Sequence, residues 1–362
     1  MKILQICFRL PWPLKDGGAI AMFNITKGLV NEKCNLTLAV PLTNKHCISS
    51  KDLPEYIKEK TKVFETKINA DITYLGAFKN LFSKEPYYIS RYKNSDFSSL
   101  LKKILSNNKF DVIIFESLKV APYLDLVKSY SNAKTVLRSH NVEHLIWGRM
   151  AEHSTGLKKV YLKNLTKKLK AYELSKINQF DAVLPITDID ANYFLERNDR
   201  IRFHIVPSGI DYSIYKCDTS KIELNSVFHI GSLDWMPNLD GIKWFLDNVW
   251  HLIHQKYPQM KFYIAGRHTP KELFDLSIPN VIFCGEIENS IDFINSKQIM
   301  IVPLLSGSGM RIKIAEGMAL GKVIISTSIG AEGIGYTDGA NILIADTRSE
   351  ERRVGKECRS RW

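Results

Sequence analysis

The residues with the most evident chemistry lie in one stretch, VPLLSGSGMRIKIAEGMALGKVIIST, residues 302–327. It reads as strand, glycine turn, helix and strand, with Gly321 as the helix stop. Gly307 and Gly309, with Ser308 between them, let the backbone come close to a ligand, and the following helix aims its positive end at that ligand. Arg311 and Lys313 place two cations in the first helical turn, where the dipole opposes them unless an anion compensates, so both are expected beside a diphosphate. Glu316, further along the same helix, is within reach of ribose hydroxyls. The alternative is an ordinary α/β glycine turn with both cations solvated. Ile312 stands where the dinucleotide fingerprint GxGxxG needs its third glycine, which counts against an NAD-dependent oxidoreductase.

Two further places carry polar groups near strand ends. Gly17 and Gly18, in PWPLKDGGAIAMF, follow the first apolar run and open a helix, either as a phosphate-approach loop or as a plain tight turn. SHNVEH, residues 139–144, brings His140, Asn141, Glu143 and His144 to the carboxyl end of another run, where open α/β sheets bind ligands. His140 is favoured as the functional group there, while Glu143 also suits the first turn of a following helix.

These sites need elements to hold them. Strand-length apolar runs at residues 2–7, 36–40, 111–115, 135–139 and 182–186 alternate with helical patterns. A second series follows at 227–230, 261–265, 281–284, 299–303, 323–326 and 342–345. Such alternation implies two doubly wound, Rossmann-like parallel sheets covered by helices on both faces. A chain of 362 residues suits two domains. Pro207, Ser208 and Gly209 interrupt the pattern, which sets domains at 1–208 and 209–347.

With 45% hydrophobic and 24% charged residues the composition is that of a globular protein. The formal charge of +12 favours anionic partners. Nucleic acid is not expected, because the basic residues lack helix-turn-helix, zinc-finger or RNP-like companions. The six cysteines are scattered, with no CxxC pair and no histidine partner at ligand spacing, so a reduced compartment without a metal site is expected. The amino terminus is too briefly apolar for a signal peptide, and no run is long enough to span a bilayer. A cytoplasmic protein is therefore expected.

Residues 156–172 carry six lysines and no acid, with Leu157, Val160, Tyr161, Leu165, Leu169 and Tyr172 read as one helical face. The first reading is a helix packed on its own sheet. The other is peripheral contact with anionic lipid at the inner face of the membrane. The last fifteen residues, RSEERRVGKECRSRW, have too narrow an apolar stripe to cover a sheet and read as an atypical, foreign or frameshifted tail.

Together these segments resemble a GT-B fold glycosyltransferase of family 4, the glycosyltransferase group 1 type, over residues 1 to about 346. The GG loop is matched by Gly17 and Gly18. The linker pattern V-P-N-G-[IV]-D is matched by VPSGID at 206–211, and the opening strand with its glycine by FHIGSLDWMPN, which contains Gly231. AEGMALGKVIIST answers the EAMA–GxPVV pattern, with GAEGI and DGANIL following in order.

The resemblance implies transfer of a sugar from a nucleotide-sugar donor to a glycan or lipid-linked acceptor bound between the two domains, with retention of configuration and without metal or cofactor. The acceptor falls to the first domain and the donor to the second. Glu316 would bind the donor ribose, His140 would lie near the transferred sugar, and Glu332, in GAEGI, would lie by the nucleotide or a neighbouring loop. Two departures stand out. The acid that many members carry eight residues before the helix glutamate is Ser308 here. The basic pair after the first strand of the second domain is missing from GSLDWMPN, so the diphosphate falls to Arg311 and Lys313. Family chains also run on into further helices where this tail begins. The other readings are a non-catalytic nucleotide-sugar-binding protein and a nucleotide-sugar epimerase of the same architecture.

Overall fold

The structure, a computed structural model, describes residues 1–197 and 201–347, so the atypical tail expected over 348–362 lies outside it. The chain divides into two compact units, Met1–Gly209 and a second beginning at Ile210. Each is built on a parallel sheet. In the first, the strands are β1 Lys2–Ile6, β2 Asn35–Leu42, β3 Thr61–Lys67, β4 Val112–Glu116, β5 Lys134–Ser139, β6 Ala182–Pro185 and β7 Arg202–Phe203. Their order is β3-β2-β1-β4-β5-β6-β7. The second sheet holds β8 Ser226–Ile230, β9 Lys261–Ala265, β10 Val281–Gly285, β11 Ile299–Val302, β12 Val323–Ser326 and β13 Leu343–Ile344, in the order β10-β9-β8-β11-β12-β13.

Two strands lie outside the runs that the sequence marks. β3 (TKVFETK) is an edge strand with no fully buried residue, so it carries little of the apolar signal of an inner strand. β7 is two residues long. The inner strands show the reverse. β11 (IMIV) is buried throughout; Ile299 and Ile301 enter one core cluster, and Met300 and Val302 enter the cluster on the other face. That alternation is the period-two geometry of a strand covered on both sides.

In both sheets the strand order reverses beside the first strand, between β1 and β4 and between β8 and β11. Loops leaving neighbouring strands there diverge to opposite faces and open a crevice at the carboxyl edge.

The basic helix departs from expectation. It runs Gly156–Ile177 and buries Leu162, Leu165 and Leu169, but Leu157 and Val160 are 89% and 66% exposed. At about 100° per residue those two side chains project from the side opposite the buried stripe. The face read from Leu157 to Tyr172 is therefore split between core and solvent. Among the described residues, no helix is long and apolar enough to cross a membrane.

Candidate active site

The second unit builds its site at the β8/β11 reversal. β8 ends at Ile230, and Gly231 turns the chain into the helix Met236–Phe245. β11 ends at Val302 and leads through residues 303–311 to the helix Ile312–Ala319. Gly309 in that loop has φ +77°, a conformation that glycine adopts at little cost. Among the described residues no side-chain hydrogen bond caps the second helix, and its first turn carries no acid.

Lys313 lies at the centre. Its Nζ donates to Asn238 Oδ1 at 2.9 Å and lies 3.3 Å from His229 Nε2. Asn238 is fixed by its own donation to Ser232 O, and His229 Nδ1 lies 2.9 Å from Ile301 O. A Cβ on Gly231 would come within 2.6 Å of Lys313 Nζ, so only glycine leaves this lysine its place. Burial, reinforced by Arg311 and opposed by Glu316, pulls the Lys313 pKa down to about 7. Burial and the lysine likewise hold His229 well below its usual range, as a neutral imidazole. The arrangement is a desolvated cation facing neutral dipoles, which an incoming anion would favour.

Arg311 serves the loop. Its guanidinium donates to the carbonyls of Gly309, at 2.7 Å, and Ser308, and lies 5.5 Å from the ring centre of Trp235. Glu316 Oε1 accepts from the Tyr215 hydroxyl at 2.8 Å. Burial raises its carboxyl above the ordinary range, against the pull of Tyr215 and Lys313. Ser308 is buried within the loop, and Glu332 ends the short helix Ser328–Ala331 that follows β12. The sequence reading missed His229, Asn238, Trp235 and Tyr215; the signal for three of them was FHIGSLDWMPN, a strand end running directly into a helix start.

Gly266, after β9, backs this turn. A Cβ there would lie 1.9 Å from Gly231 O, an atom of backbone that cannot swing aside. We expect Gly266→Ala to destabilise the second unit by about 1–3 kcal/mol, visible as a lowered melting transition; an unchanged melt would contradict this packing.

In the first unit, His140 follows β5 and its Nε2 lies 2.7 Å from Glu116 Oε2 at the end of β4. Glu116 also accepts from Gln5 Nε2 at 2.8 Å and Arg138 Nη1 at 3.3 Å. Burial alone would raise the Glu116 carboxyl, but Arg138, His140 and Gln5 together hold it below the ordinary value. Burial keeps His140 below its usual pKa, despite Glu116. The consistent assignment is an ionised Glu116 that accepts Nε2–H from a neutral His140 and leaves Nδ1 as the acceptor nitrogen.

His144 parts from His140. Its ring joins Glu173 and the Tyr193 hydroxyl, each at 2.6 Å, and Glu173 also accepts the N–H groups of Glu143 and His144. It thereby anchors the helix Glu143–Glu152 to the basic helix. Gly17 and Gly18 open the helix Gly17–Asn31, but the Asp16 carboxylate caps it and pairs with Arg9. A carboxylate thus already holds the positive end where the sequence suggested phosphate. Among the described residues, no three His, Cys, Asp or Glu side chains converge as metal ligands do.

Two parallel sheets of this order, one with a half-buried lysine behind a glycine turn at its reversal point, define a pair of Rossmann-like units of the GT-B class. Residues 225–354 match the family model described as Glycosyl transferases group 1. The chain is 26% identical over 361 residues to an uncharacterised 44.6 kDa protein in the cps region of Klebsiella pneumoniae, covering 95% of this chain and 87% of that one. Among solved structures it is similar to S. aureus TarM, with a TM-score of 0.68 and 12% identity over 98% of this chain and 90% of TarM. It is also similar to Anabaena HepE, solved in complex with UDP-glucose, with a TM-score of 0.66 and 15% identity over 99% of this chain and 89% of HepE.

Proposed function

We propose that the chain transfers a sugar from a nucleoside diphosphate sugar to a glycan or lipid-linked acceptor, with retention, without a metal, in surface polysaccharide synthesis at the cytoplasmic side of the membrane. The observation that carries this reading is the desolvated Lys313 at the β8/β11 reversal, backed by Asn238 and His229 and followed by Glu316. The family match over 225–354 and the cps-region relative support it.

Lys313 and the loop Gly307, Ser308 and Gly309, held by Arg311, bind the diphosphate, with Gly231 opening the approach. Glu316 takes the ribose hydroxyls, exchanging its Tyr215 contact for one with ligand, and Glu332 lies by the nucleotide. His140 serves the transferred sugar; at Gly17 and Gly18, where phosphate approach was expected, Asp16 takes the helix end. The acceptor hydroxyl oxygen bonds to the anomeric carbon as the bond from that carbon to the phosphate oxygen breaks. The hydroxyl proton passes to the departing diphosphate, whose charge Lys313 and the helix end stabilise.

The test is a panel of nucleotide sugars, UDP-glucose first, scored by thermal shift and then by product analysis with lipid-linked and free glycan acceptors in the presence of EDTA. A donor should raise the melting temperature by mass action and be consumed only with acceptor, with its anomeric configuration retained. Binding without consumption would assign a carrier role, and conversion of donor alone would assign an epimerase. A panel with no binder would refute the reading.

A further inference from the structure

The first unit has a helix turned inside out. The helix Tyr74–Asn80 buries only Asn80, while Tyr74 is 99%, Leu75 63% and Phe78 60% exposed, and Phe82 just beyond it is 83% exposed. At about 100° per residue these four side chains form one stripe, the spacing of an amphipathic helix, but the apolar side faces outward. Isolated exposed apolar residues are ordinary; a contiguous aromatic stripe marks a contact surface.

The C-terminal end of the helix that carries the stripe is tied to the basic helix. Lys168 Nζ donates to Asn80 O at 2.7 Å and Leu81 O at 3.0 Å. The Tyr87 hydroxyl accepts from Thr73 N at 3.1 Å. On the basic helix Leu157, Val160, Lys163 and Lys167 are exposed and Lys159 is half-exposed.

We propose that these two helices form a docking surface for an anionic lipid bilayer. Tyr74, Leu75, Phe78 and Phe82 enter the interface, Leu157 and Val160 extend it, and the three lysines meet lipid phosphates. Charge complementarity selects this occupant: a second protein surface covering the stripe would also have to neutralise the six lysines of residues 156–172, a stretch without an acid, whereas headgroups of an anionic leaflet supply apolar depth and negative charge together. This relocates the apolar part of the contact from the face first read over residues 156–172. It does not rest on the sugar-transfer reading, because docking is measured without donor or acceptor.

The experiment is co-sedimentation of the full chain with phosphatidylcholine vesicles, with and without phosphatidylglycerol. Wild-type protein should bind the phosphatidylglycerol vesicles at least about tenfold more strongly than the neutral ones. Tyr74→Ser/Phe78→Ser/Phe82→Ser should weaken that binding about tenfold or more, and Lys159→Glu/Lys163→Glu/Lys167→Glu should abolish the lipid preference, both with unchanged melting temperature. Equal binding to both vesicle types, or variants that bind like wild type, would overturn the proposal. So would a dimer, seen by sedimentation velocity, that the serine variant splits, since a second copy would then cover the stripe.

Discussion

Lys313→Ala is expected to lower sugar transfer by roughly two to three orders of magnitude, the scale of losing a preorganised charge at a developing oxyanion. The same lysine gives the reaction a pH signature. In the free protein it titrates at about 7, pulled down chiefly by burial. A bound sugar diphosphate stabilises the ammonium form and raises that pKa, so above neutrality donor binding takes up a proton. The sign follows directly: affinity is greatest below about pH 7 and falls by up to about tenfold per unit as pH rises towards the pKa of the complex. The diphosphate of a nucleotide sugar does not titrate near neutrality, so the proton goes to the protein. Calorimetry at pH 8 in buffers of different ionisation enthalpy should show uptake approaching one proton per donor, lost in Lys313→Met. No uptake by the wild type would remove Lys313 from the phosphate site.

Glu116→Ala should be the most destabilising single change in the first unit. Arg138 is 1% exposed, and its carboxylate partner Glu116 is fully buried. Truncating the acid leaves a buried guanidinium with the Ala21 carbonyl at 3.0 Å but no counter-charge. Breaking such a pair costs about 3–5 kcal/mol, and the first unit's melting transition should fall by about 10 °C. Glu116→Leu/Arg138→Leu, which removes both charges, should recover most of the loss. A Glu116→Ala protein that melts within a degree or two of wild type would show that the carboxylate does not hold this cluster.

How much of this is visible in the chain depends on whether a site is local. Gly307, Lys313 and Glu316 fall within one turn-helix segment, so residue type and spacing were enough to pick them out. His229, Asn238 and Tyr215 reach Lys313 or Glu316 from a strand end, a helix start and the segment entering the second unit. Parallel crossovers bring them together, and no spacing records that. Glu116 lies one residue past the apolar run at 111–115 and carries no mark of its own; only the pairing of β4 with β1 and β5 shows that Gln5 and Arg138 converge on it. The inner strands were readable because burial on both faces makes them almost wholly apolar, whereas the half-exposed edge strand β3 carries no such mark. Tyr74, Phe78 and Phe82 show the converse: helical apolar spacing identifies a face, but not whether the core or something outside the chain covers it.

The most direct test of the central claim is a crystal structure of the chain with an unreactive UDP-sugar analogue. The account predicts diphosphate oxygens within hydrogen-bonding distance of Lys313 Nζ and the backbone of residues 307–310, with ribose hydroxyls on Glu316. A diphosphate bound elsewhere, with Lys313 still on Asn238 and Glu316 still on Tyr215, would contradict it.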